Sequence, residues 1–553
     1  MKILFVIIFN FLQIQVFAQI NRYIVSFANK DNSSYSVNRP EEFLSQRALE
    51  RRHKNNVTVN TDDLPVNNYY VQQVGNIEGV KTFFTSRWFN AVLVECKNEH
   101  LDLIENLPFV TGTIFVAPGS KLGESTPTEN YPQNSTAVSI WSSKINQLKL
   151  IGLDVMQSDG YLGNNVIISV LDAGFINVNT LPSFQHIFSE DRVLLTKDFI
   201  QNSGNVYQFD SHGTSVLSIM VGKVQDKYLG GAPKSKIMLF VTEDVTTEYK
   251  IEEYNWLFAA EKADSAGTDI IQSSLGYSTF DDPTMNYSYQ DLDGKTAVIS
   301  KAASMARDRG IIVVNSAGND GRDINHNVSY PADVDGILTV GSIDVYVERS
   351  LFSSFGRTYD NRIKPDVCTN GEEVTTVNKN GVLRVGSGTS YSSPLIASLV
   401  AGLIEAYPKM GAAELIERIK ITSSRGLNPN NEIGYGVPSY MSFKNNDSCQ
   451  DCLEDYLNSV RTSARIFDNS KDQIRITPNP VHSKLSVIFR NPSNEKTNFI
   501  VYNLNGSVVA NYLFSLSMPD NSVEISMDNL SYGYYILKVK NSTIDQIFRF
   551  INY

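Results

Sequence analysis

The 553-residue sequence predicts a central α/β domain with a doubly wound, mostly parallel sheet, accompanied by two smaller domains. Two observations predict that sheet. Four short runs are apolar almost throughout, as strands buried on both faces require: VIISVLD (166–172), KIMLFVT (236–242), DIIQSSLG (269–276) and IIVVNSAG (311–318). Helical patterns separate the runs, including Ile251 to Ala266 and Thr296 to Arg309. This alternation predicts a parallel sheet with helices on both faces, over residues 138–443.

The first 18 residues predict an export signal. Lys2 supplies a positive charge, residues 3–16 form an apolar run, and Ala18 is a small residue before Gln19. A membrane-spanning helix needs about 20 apolar residues, and this run is shorter. We therefore expect a signal peptide over residues 1–18 and a secreted or cell-surface protein.

Residues 19–119 predict a small α+β domain with the ferredoxin-like order βαββαβ. Its predicted elements are Tyr23 to Phe27, Glu41 to Arg52, Val80 to Thr85, Phe89 to Cys96, Glu99 to Leu107 and Phe109 to Val116. The basic run RALERRHK (47–54) falls in this region. It could be a binding surface, but a solvated helix face is the interpretation we favour.

Two polar segments and a third domain complete the chain. Residues 120–137 are rich in Ser, Thr, Pro and Asn, as a processing linker would be, and residues 444–472 form a second polar linker. Residues 473–553 carry the strand-like runs LSVIF, FIVYNLNGSVV, YYILKV and IFRFI between turn residues. This pattern predicts a small β-sandwich.

Composition excludes several classes of function. A net charge of −11 and a pI of about 5.2 argue against nucleic acid and anionic membranes as partners. Four cysteines are too few for a disulfide-dense scaffold. Cys449 and Cys452 form a C-x-x-C, for which a local disulfide or no role is favoured over a redox or zinc motif. Cys96 and Cys368 have apolar neighbours and are predicted to lie in the core.

Chemistry is expected at the carboxyl ends of the parallel strands, where open α/β sheets bind their ligands. Asp172 ends the first run, Ser274-Leu275-Gly276 end the third, and Asn319 follows the fourth. Two predicted helices begin at the same edge, one at His212 and one near Ser390. Each residue alone could be a cap or a turn residue. Together they supply a nucleophile, a base, an acid to orient the base, and an oxyanion donor.

These residues resemble the motifs of the subtilisin-like serine proteases (the subtilase family) across about residues 140–443. The Asp element is Asp172-Ala173-Gly174, the His element is His212-Gly213-Thr214, and the Ser element is Gly388-Thr389-Ser390-Tyr391-Ser392-Ser393-Pro394. The order Asp, His, Ser is also that of the family. Ala173 departs from the family, which usually has Ser or Thr there.

The resemblance implies a role for each candidate. Asp172, His212 and Ser390 would be catalytic, and Asn319 would complete the oxyanion hole from the segment Ser316-Ala317-Gly318-Asn319. Ser274, Leu275 and Gly276 would pair with extended substrate and line the primary specificity pocket, and Ala317 and Gly318 would also bind substrate. We expect no cofactor in the chemistry. Structural calcium is common in the family, but no acidic cluster with ligand spacing supports it here.

The flanking domains also resemble parts of such enzymes. Residues 19–119 look like an inhibitory, folding-assisting propeptide. The C-terminal motifs TPNPV (477–481), VYNLNGSVV (501–509) and LSYGYYILKV (530–539) resemble the sorting domain of type IX secretion, with a carbohydrate-binding β-sandwich as the alternative. The sequence therefore predicts a secreted serine endopeptidase whose partners are protein substrates, its own propeptide and the type IX machinery. An esterase or amidase with the same site, or an inactive surface-binding protein, are the alternatives.

Overall fold

The computed structural model describes residues 19–119, 147–323, 327–447 and 457, together with residues 474–552 except 478–480, 482–483, 490–494, 504–505, 516–521, 528 and 532. The chain divides into two compact units, residues 1–457 and 458–553. The first unit contains both the predicted α+β domain and the predicted α/β domain, which contact each other.

The N-terminal domain is a four-stranded antiparallel sheet with helices. Its strands lie in the order β2-β3-β1-β4, which is the ferredoxin-like arrangement that the element order predicts. The elements are β1 (Ile20–Phe27), α1 (Gln46–Lys54), α2 (Asn68–Gly75), β2 (Lys81–Ser86), β3 (Ala91–Lys97), α3 (Leu101–Glu105) and β4 (Val110–Pro118). Helix α1 begins later than predicted because the Ser45 side chain caps it, accepting from the N–H of Ala48. Helix α2 was not predicted.

The central domain is built on a seven-stranded sheet in the order β15-β12-β11-β10-β5-β9-β6, and every neighbouring pair is parallel. The predicted α/β class is therefore confirmed. Its strands are β5 (Ile167–Asp172), β6 (Val193–Asp198), β9 (Lys236–Val241), β10 (Ile270–Ser273), β11 (Ile312–Ser316), β12 (Leu338–Ile343) and β15 (Val367–Asn370). Residues of β5, β10, β11, β12 and β15 are buried without exception, which explains their continuous apolar character.

Helices and three pairs of short antiparallel strands accompany this sheet. The helices are α4 (Leu153–Ser158), α5 (Gln185–Ser189), α6 (His212–Val221), α7 (Ile251–Ala266), α8 (Val298–Asp308), α9 (Thr389–Ala406), α10 (Ala412–Ile421) and α11 (Tyr440–Asn445). The short strands are β7 (Lys223–Val224), β8 (Tyr228–Leu229), β13 (Gly356–Arg357), β14 (Ile363–Lys364), β16 (Val374–Val377) and β17 (Leu383–Gly386). The bounds of α7 are those that the sequence predicted.

Helix α7 is buried almost all round because the two domains of the first unit enclose it. Its Trp256 and Leu257 belong to one apolar cluster with Trp88 and Leu93 of the N-terminal domain and with Val313 of β11. The carboxylate of its Glu261 accepts the backbone N–H groups of both Arg87 and Trp88, at 2.9 and 3.2 Å. The N-terminal domain therefore packs on α7 through apolar burial and specific hydrogen bonds.

The basic run of α1 takes part in this packing, so the prediction of a solvated helix face is wrong. Arg51 and Arg52 are 4% and 1% exposed, and both form ion pairs with Asp264 of α7. Arg87 forms a third ion pair with the same carboxylate, which is fully buried. The sequence could not show this because Asp264 lies more than 200 residues away from α1.

The second unit contains two antiparallel sheets, β18-β19-β22 and β21-β20-β23-β24. Its strands are β18 (Ile474–Thr477), β19 (Lys484–Phe489), β20 (Lys496–Asn503), β21 (Val508–Ser515), β22 (Ser522–Ser526), β23 (Gly533–Lys540) and β24 (Asp545–Asn552). Alternate residues of both sheets, such as Val487, Phe499 and Leu537, form one apolar cluster. That is the core of a β-sandwich, as predicted.

Cys96 and Cys368 are buried and unpaired thiols, as predicted. The C-x-x-C at Cys449 and Cys452 and the predicted signal and processing segments lie outside the described residues. Among the helices that the structure describes, none combines the length and apolar character needed to cross a bilayer.

Candidate active site

Asp172 and His212 form a hydrogen-bonded pair at the carboxyl edge of the sheet. Asp172 is the last residue of β5 and is fully buried, and His212 is the first residue of α6. Nδ1 of His212 lies 2.9 Å from Oδ1 and 3.1 Å from Oδ2 of Asp172. Oδ1 also accepts the backbone N–H of Ala173 at 2.8 Å, which holds the carboxylate in place despite the missing hydroxyl at that position. This contact sets the tautomer with the proton on Nδ1, so Nε2 is the basic nitrogen.

The pair raises the basicity of the imidazole. Burial lowers the pKa of His212, but the charge and hydrogen bond of Asp172, with smaller effects of Glu243 and Asp210, outweigh burial and raise that pKa to about 9. The backbone N–H of His212 donates to Oδ1 of Asp210 at 2.6 Å, which fixes the first turn of α6. An imidazole held in this way is a stronger proton acceptor than a free one, and its orientation is fixed through Nδ1.

Ser390 lies in the first turn of α9, the helix that packs against the one beginning at His212. The ring of the adjacent Tyr391 lies 6.2 Å from the His212 ring, measured between centroids, and helices α9 and α6 pack against each other. Oγ of Ser390 donates to the carbonyl oxygen of Ser274 at 3.4 Å, and Oγ of Ser274 donates to the carbonyl oxygen of Ser390 at 2.9 Å. Ser390 is only 9% exposed, so its hydroxyl has little freedom.

Asn319 follows β11 and contacts the start of α9. Its Oδ1 accepts from the backbone N–H of Thr389 at 3.0 Å and from the Thr389 hydroxyl at 3.1 Å. The Thr389 hydroxyl also donates to the carbonyl oxygen of Gly318 at 3.1 Å. Oδ1 of Asn319 is thus fixed toward the start of α9, one residue before Ser390. Its Nδ2 is the side-chain donor that an oxyanion would use.

The two predicted substrate segments lie on either side of Ser329. A Cβ atom on Gly276 would lie 2.0 Å from Oγ of Ser329, and one on Gly318 would lie 2.9 Å from it. Gly318 also has a positive φ of 106°, which favours glycine. Leu275 and Ala317 are buried beside them, whereas Gly276 is exposed. The structure therefore brings the two segments together at Ser329, and Ser274 and Gly318 contact Ser390 and Thr389 at the start of α9.

Three glutamates near this site were missed by the sequence analysis. Glu243 follows β9, Glu248 lies in the loop before α7, and Glu252 lies in the first turn of α7; their carboxylate oxygens lie within 4.8 Å of one another. The spacing 243, 248 and 252 matches no common ligand motif, so only the path of the loop brings them together. Carboxylates arranged in this way can hold a cation.

Taken together, the parallel sheet and an Asp, a His and a Ser at its carboxyl edge define a subtilisin-like α/β domain. Residues 163–436 match the model of the subtilase family, Peptidase S8, and the chain belongs to this family. Residues 22–134 match the Peptidase S8 propeptide domain of Bacteroidota, and residues 475–552 match a secretion system C-terminal sorting domain. The resemblance of all three regions is thereby confirmed.

Individual relatives agree with the family. Subtilisin-like protease 2 of Trichophyton rubrum is 31% identical over 255 residues, which are 44% of this chain and 51% of that protein. The chain thus spans about half the length of that relative. Subtilisin DY of Bacillus licheniformis is 27% identical over 281 residues, 50% of this chain and 90% of that protein. A crystal structure of the epidermin leader peptide processing serine protease (EpiP) from Staphylococcus aureus has the same fold, with a TM-score of 0.53 at 18% identity over 77% of this chain and 98% of that one.

Proposed function

We propose that the protein is an exported serine endopeptidase that cleaves peptide bonds through an acyl-enzyme on Ser390. The observation that carries the proposal is the Asp172–His212 hydrogen bond of 2.9 Å, formed beside the helix that bears Ser390. A buried aspartate, a histidine oriented by it and a serine at a helix N-terminus are the parts that acyl transfer needs. Membership of the subtilase family supports the same chemistry.

The mechanism follows from the geometry. Oγ of Ser390 attacks the substrate carbonyl carbon while Nε2 of His212 takes the hydroxyl proton, and the charge of Asp172 stabilises the imidazolium. The carbonyl oxygen becomes an oxyanion, which the Nδ2 of Asn319 and the backbone N–H of Ser390 stabilise. The C–N bond then breaks, and the leaving amine receives the proton from His212. Water repeats the sequence and releases the acid, with no cofactor in any step.

The flanking domains support a zymogen that is exported before it acts. Residues 19–119 pack on α7 and would inhibit the enzyme until the chain is cut within residues 117–137. The sorting domain supports transport by a type IX secretion system after removal of residues 1–18. The sorting domain and the predicted signal peptide favour a secreted or cell-surface location.

Hydrolysis by the matured protein tests the proposal. A quenched fluorescent peptide should be cleaved by the wild-type protein and not by Ser390→Ala. Asn319→Ala should lower kcat by roughly 10²- to 10³-fold with little change in KM, because its donor acts on the oxyanion. Ser387→Ala is the matched control, since that exposed hydroxyl lies three residues away and contacts the N–H of Glu373; its activity should be that of the wild type.

Other outcomes would select the alternatives. Hydrolysis of a p-nitrophenyl ester without cleavage of any peptide would mean an esterase or amidase. Failure to hydrolyse either substrate, in protein freed of its propeptide, would mean an inactive scaffold with a binding role.

A further inference from the structure

The glutamate cluster beside the active site lacks a positive partner. Within the described part of the chain, no lysine or arginine forms an ion pair with Glu243, Glu248 or Glu252, although such pairs occur at many other carboxylates. Glu252 is 1% exposed, and neither of its oxygens accepts a well-formed hydrogen bond among those residues. An uncompensated buried carboxylate is costly to a fold, so such a group requires an explanation.

A second buried polar group without a partner among the described residues is affected by the charges of the cluster. The hydroxyl of Tyr277 is buried, at 1% exposure, and has no hydrogen-bond partner among the described residues. Burial raises the pKa of this hydroxyl, and the charges of Glu252, Glu243 and Glu248 raise it further, in that order. Tyr277 is therefore close to all three carboxylates. A cation with donor hydrogens would satisfy the hydroxyl oxygen and the carboxylates together.

The carboxyl groups of Glu243 and Glu248 are weaker acids than ordinary glutamates. Burial, the charge of Glu248 and the charge of Asp172 raise the pKa of Glu243 to about 8. Burial and the charges of Asp281 and Glu253 raise the pKa of Glu248 to about 7. A cation between the carboxylates would reverse both shifts, because opposite charge favours the ionised form.

The position of the cluster relative to the active site indicates that the cation would belong to the substrate. Glu243 acts electrostatically on His212, and Tyr277 directly follows the segment Ser274-Leu275-Gly276. In the proposed function, that segment pairs with the acyl part of an extended substrate. The cluster therefore lies beside the residues that precede the scissile bond.

We propose that Glu243, Glu248 and Glu252, with the hydroxyl of Tyr277, form a subsite for a lysine or arginine side chain on the N-terminal side of the scissile bond. The inference rests on the proposed function and adds the class of substrate. Ile251 precedes Glu252 in the chain, and Leu275 lies two residues before Tyr277. Both are buried and apolar, which suits the aliphatic stem of a basic side chain. A calcium ion would need six to eight oxygen ligands.

The sequence of the chain itself contains a matching substrate. Lys121 is the one basic residue between Pro118 and Ser143, and it lies three residues beyond the end of β4. The subsite therefore predicts that maturation cleaves within a few residues after Lys121. Mass spectrometry of the mature N-terminus locates that cut.

The subsite is tested with matched peptides on the matured protein. Lysine and norleucine, which share a similar stem but differ in charge, are compared at each of the four positions before the scissile bond. The wild-type protein should prefer lysine at one position by about tenfold or more in kcat/KM, as a charge-assisted hydrogen bond implies. Glu252→Gln and Glu243→Gln should reduce that ratio toward one. Asp320→Asn, which removes an exposed carboxylate beside Asn319, should leave it unchanged.

Each remaining outcome overturns the inference. A ratio near one in the wild-type protein, or a ratio that both Gln variants retain, excludes the subsite. An increase of Tm with Ca²⁺ that Glu252→Gln abolishes, with no lysine preference, makes the cluster a calcium site instead. If the protein hydrolyses neither peptide, the proposed function fails separately. The lysine and norleucine peptides, carrying a fluorescent label, are then compared by equilibrium binding. Equal affinities for the two peptides exclude the subsite without reference to catalysis.

Discussion

Helix α7 carries a buried carboxylate near each end, and the two differ completely in their surroundings. Asp264 is fully buried and forms ion pairs with Arg51, Arg52 and Arg87 of the N-terminal domain. Glu252 is buried to the same degree and has two further glutamates, not arginines, beside it. The first charge is compensated by the chain itself, whereas the second is not.

The two carboxyl groups have pKa values that are shifted in opposite directions. Burial alone would raise the pKa of Asp264, but Arg51, Arg87 and Arg52 outweigh it and lower that pKa to about 2. Burial and the neighbouring glutamates both raise the pKa of Glu252, well above its ordinary range. The ion pairs of Asp264 join the two domains of the first unit. The uncompensated carboxylate of Glu252, close to the reaction centre, is suited to binding a cationic ligand.

The largest effect is expected at the compensated end. Asp264→Asn leaves three buried guanidinium groups without their shared partner, which costs about 3–5 kcal/mol. The urea midpoint of the Ser390→Ala chain, in which the N-terminal domain stays attached, should fall accordingly. A loss below about 1 kcal/mol would mean that apolar burial on α7 holds the two domains without help from these ion pairs.

A third buried carboxylate extends the comparison to the reaction centre. Asp172 has a single cationic partner, His212, whose pKa is raised to about 9. The pair therefore stabilises the fold below the ordinary imidazole value of about 6.5, and this contribution is lost as pH rises through about 9. Histidine-selective NMR of the Ser390→Ala chain should show that value. Asp172→Asn should lower that pKa, because only the smaller effects of Glu243 and Asp210 then oppose burial; an unchanged value would contradict the pairing.

A smaller effect of opposite sign is expected at Glu252. Because the cluster favours protonated carboxyls, its contribution to stability is complete below about pH 4 and is lost as pH rises through about 7 and 8, the values for Glu248 and Glu243. Between pH 5 and 9, Glu252→Gln should therefore lose less stability than its parent, by about 1.4 kcal/mol for each pKa unit of the shift.

Its neighbour Glu253 provides the control. That carboxylate accepts from the hydroxyl of Tyr287 at 2.7 Å and from the N–H of Ile299 at 3.2 Å. Burial nevertheless raises the pKa of Glu253 to about 7, so the two variants should differ at low pH, where Glu253→Gln is destabilised by the loss of these hydrogen bonds. If the two variants behave alike, Glu252 has compensation that the geometry does not indicate.

The smallest effect belongs to an exposed pair. Lys97 and Glu99 lie 3.5 Å apart with side chains 42% and 62% exposed. Lys97→Gln should change the free energy of unfolding by less than about 1 kcal/mol. A larger change would mean that ion pairing at the surface of this domain matters as much as at α7.

The comparison also explains which features the sequence could predict. Asp172, His212 and Ser390 each occupy the end or the first turn of a regular element, so strand and helix patterns alone locate them at one edge. Glu243 and Glu248 lie in an irregular loop, whose path no periodicity determines. Arg51 and Arg52 lie on a correctly predicted helix, yet their burial depends on Asp264, far away in the sequence. Local sequence patterns thus predict where a side chain lies on its element. Whether a buried charge has an opposite charge beside it depends on contacts between residues far apart in the sequence.

Fluorophosphonate labelling of the secreted, matured protein, with the adduct mapped by mass spectrometry, tests the central claim most directly. We expect one stoichiometric adduct on Ser390, lost when His212 is replaced by alanine, because the hydroxyl becomes a nucleophile only through that base. No adduct on protein free of residues 19–119, or an adduct that persists in His212→Ala, would contradict the account.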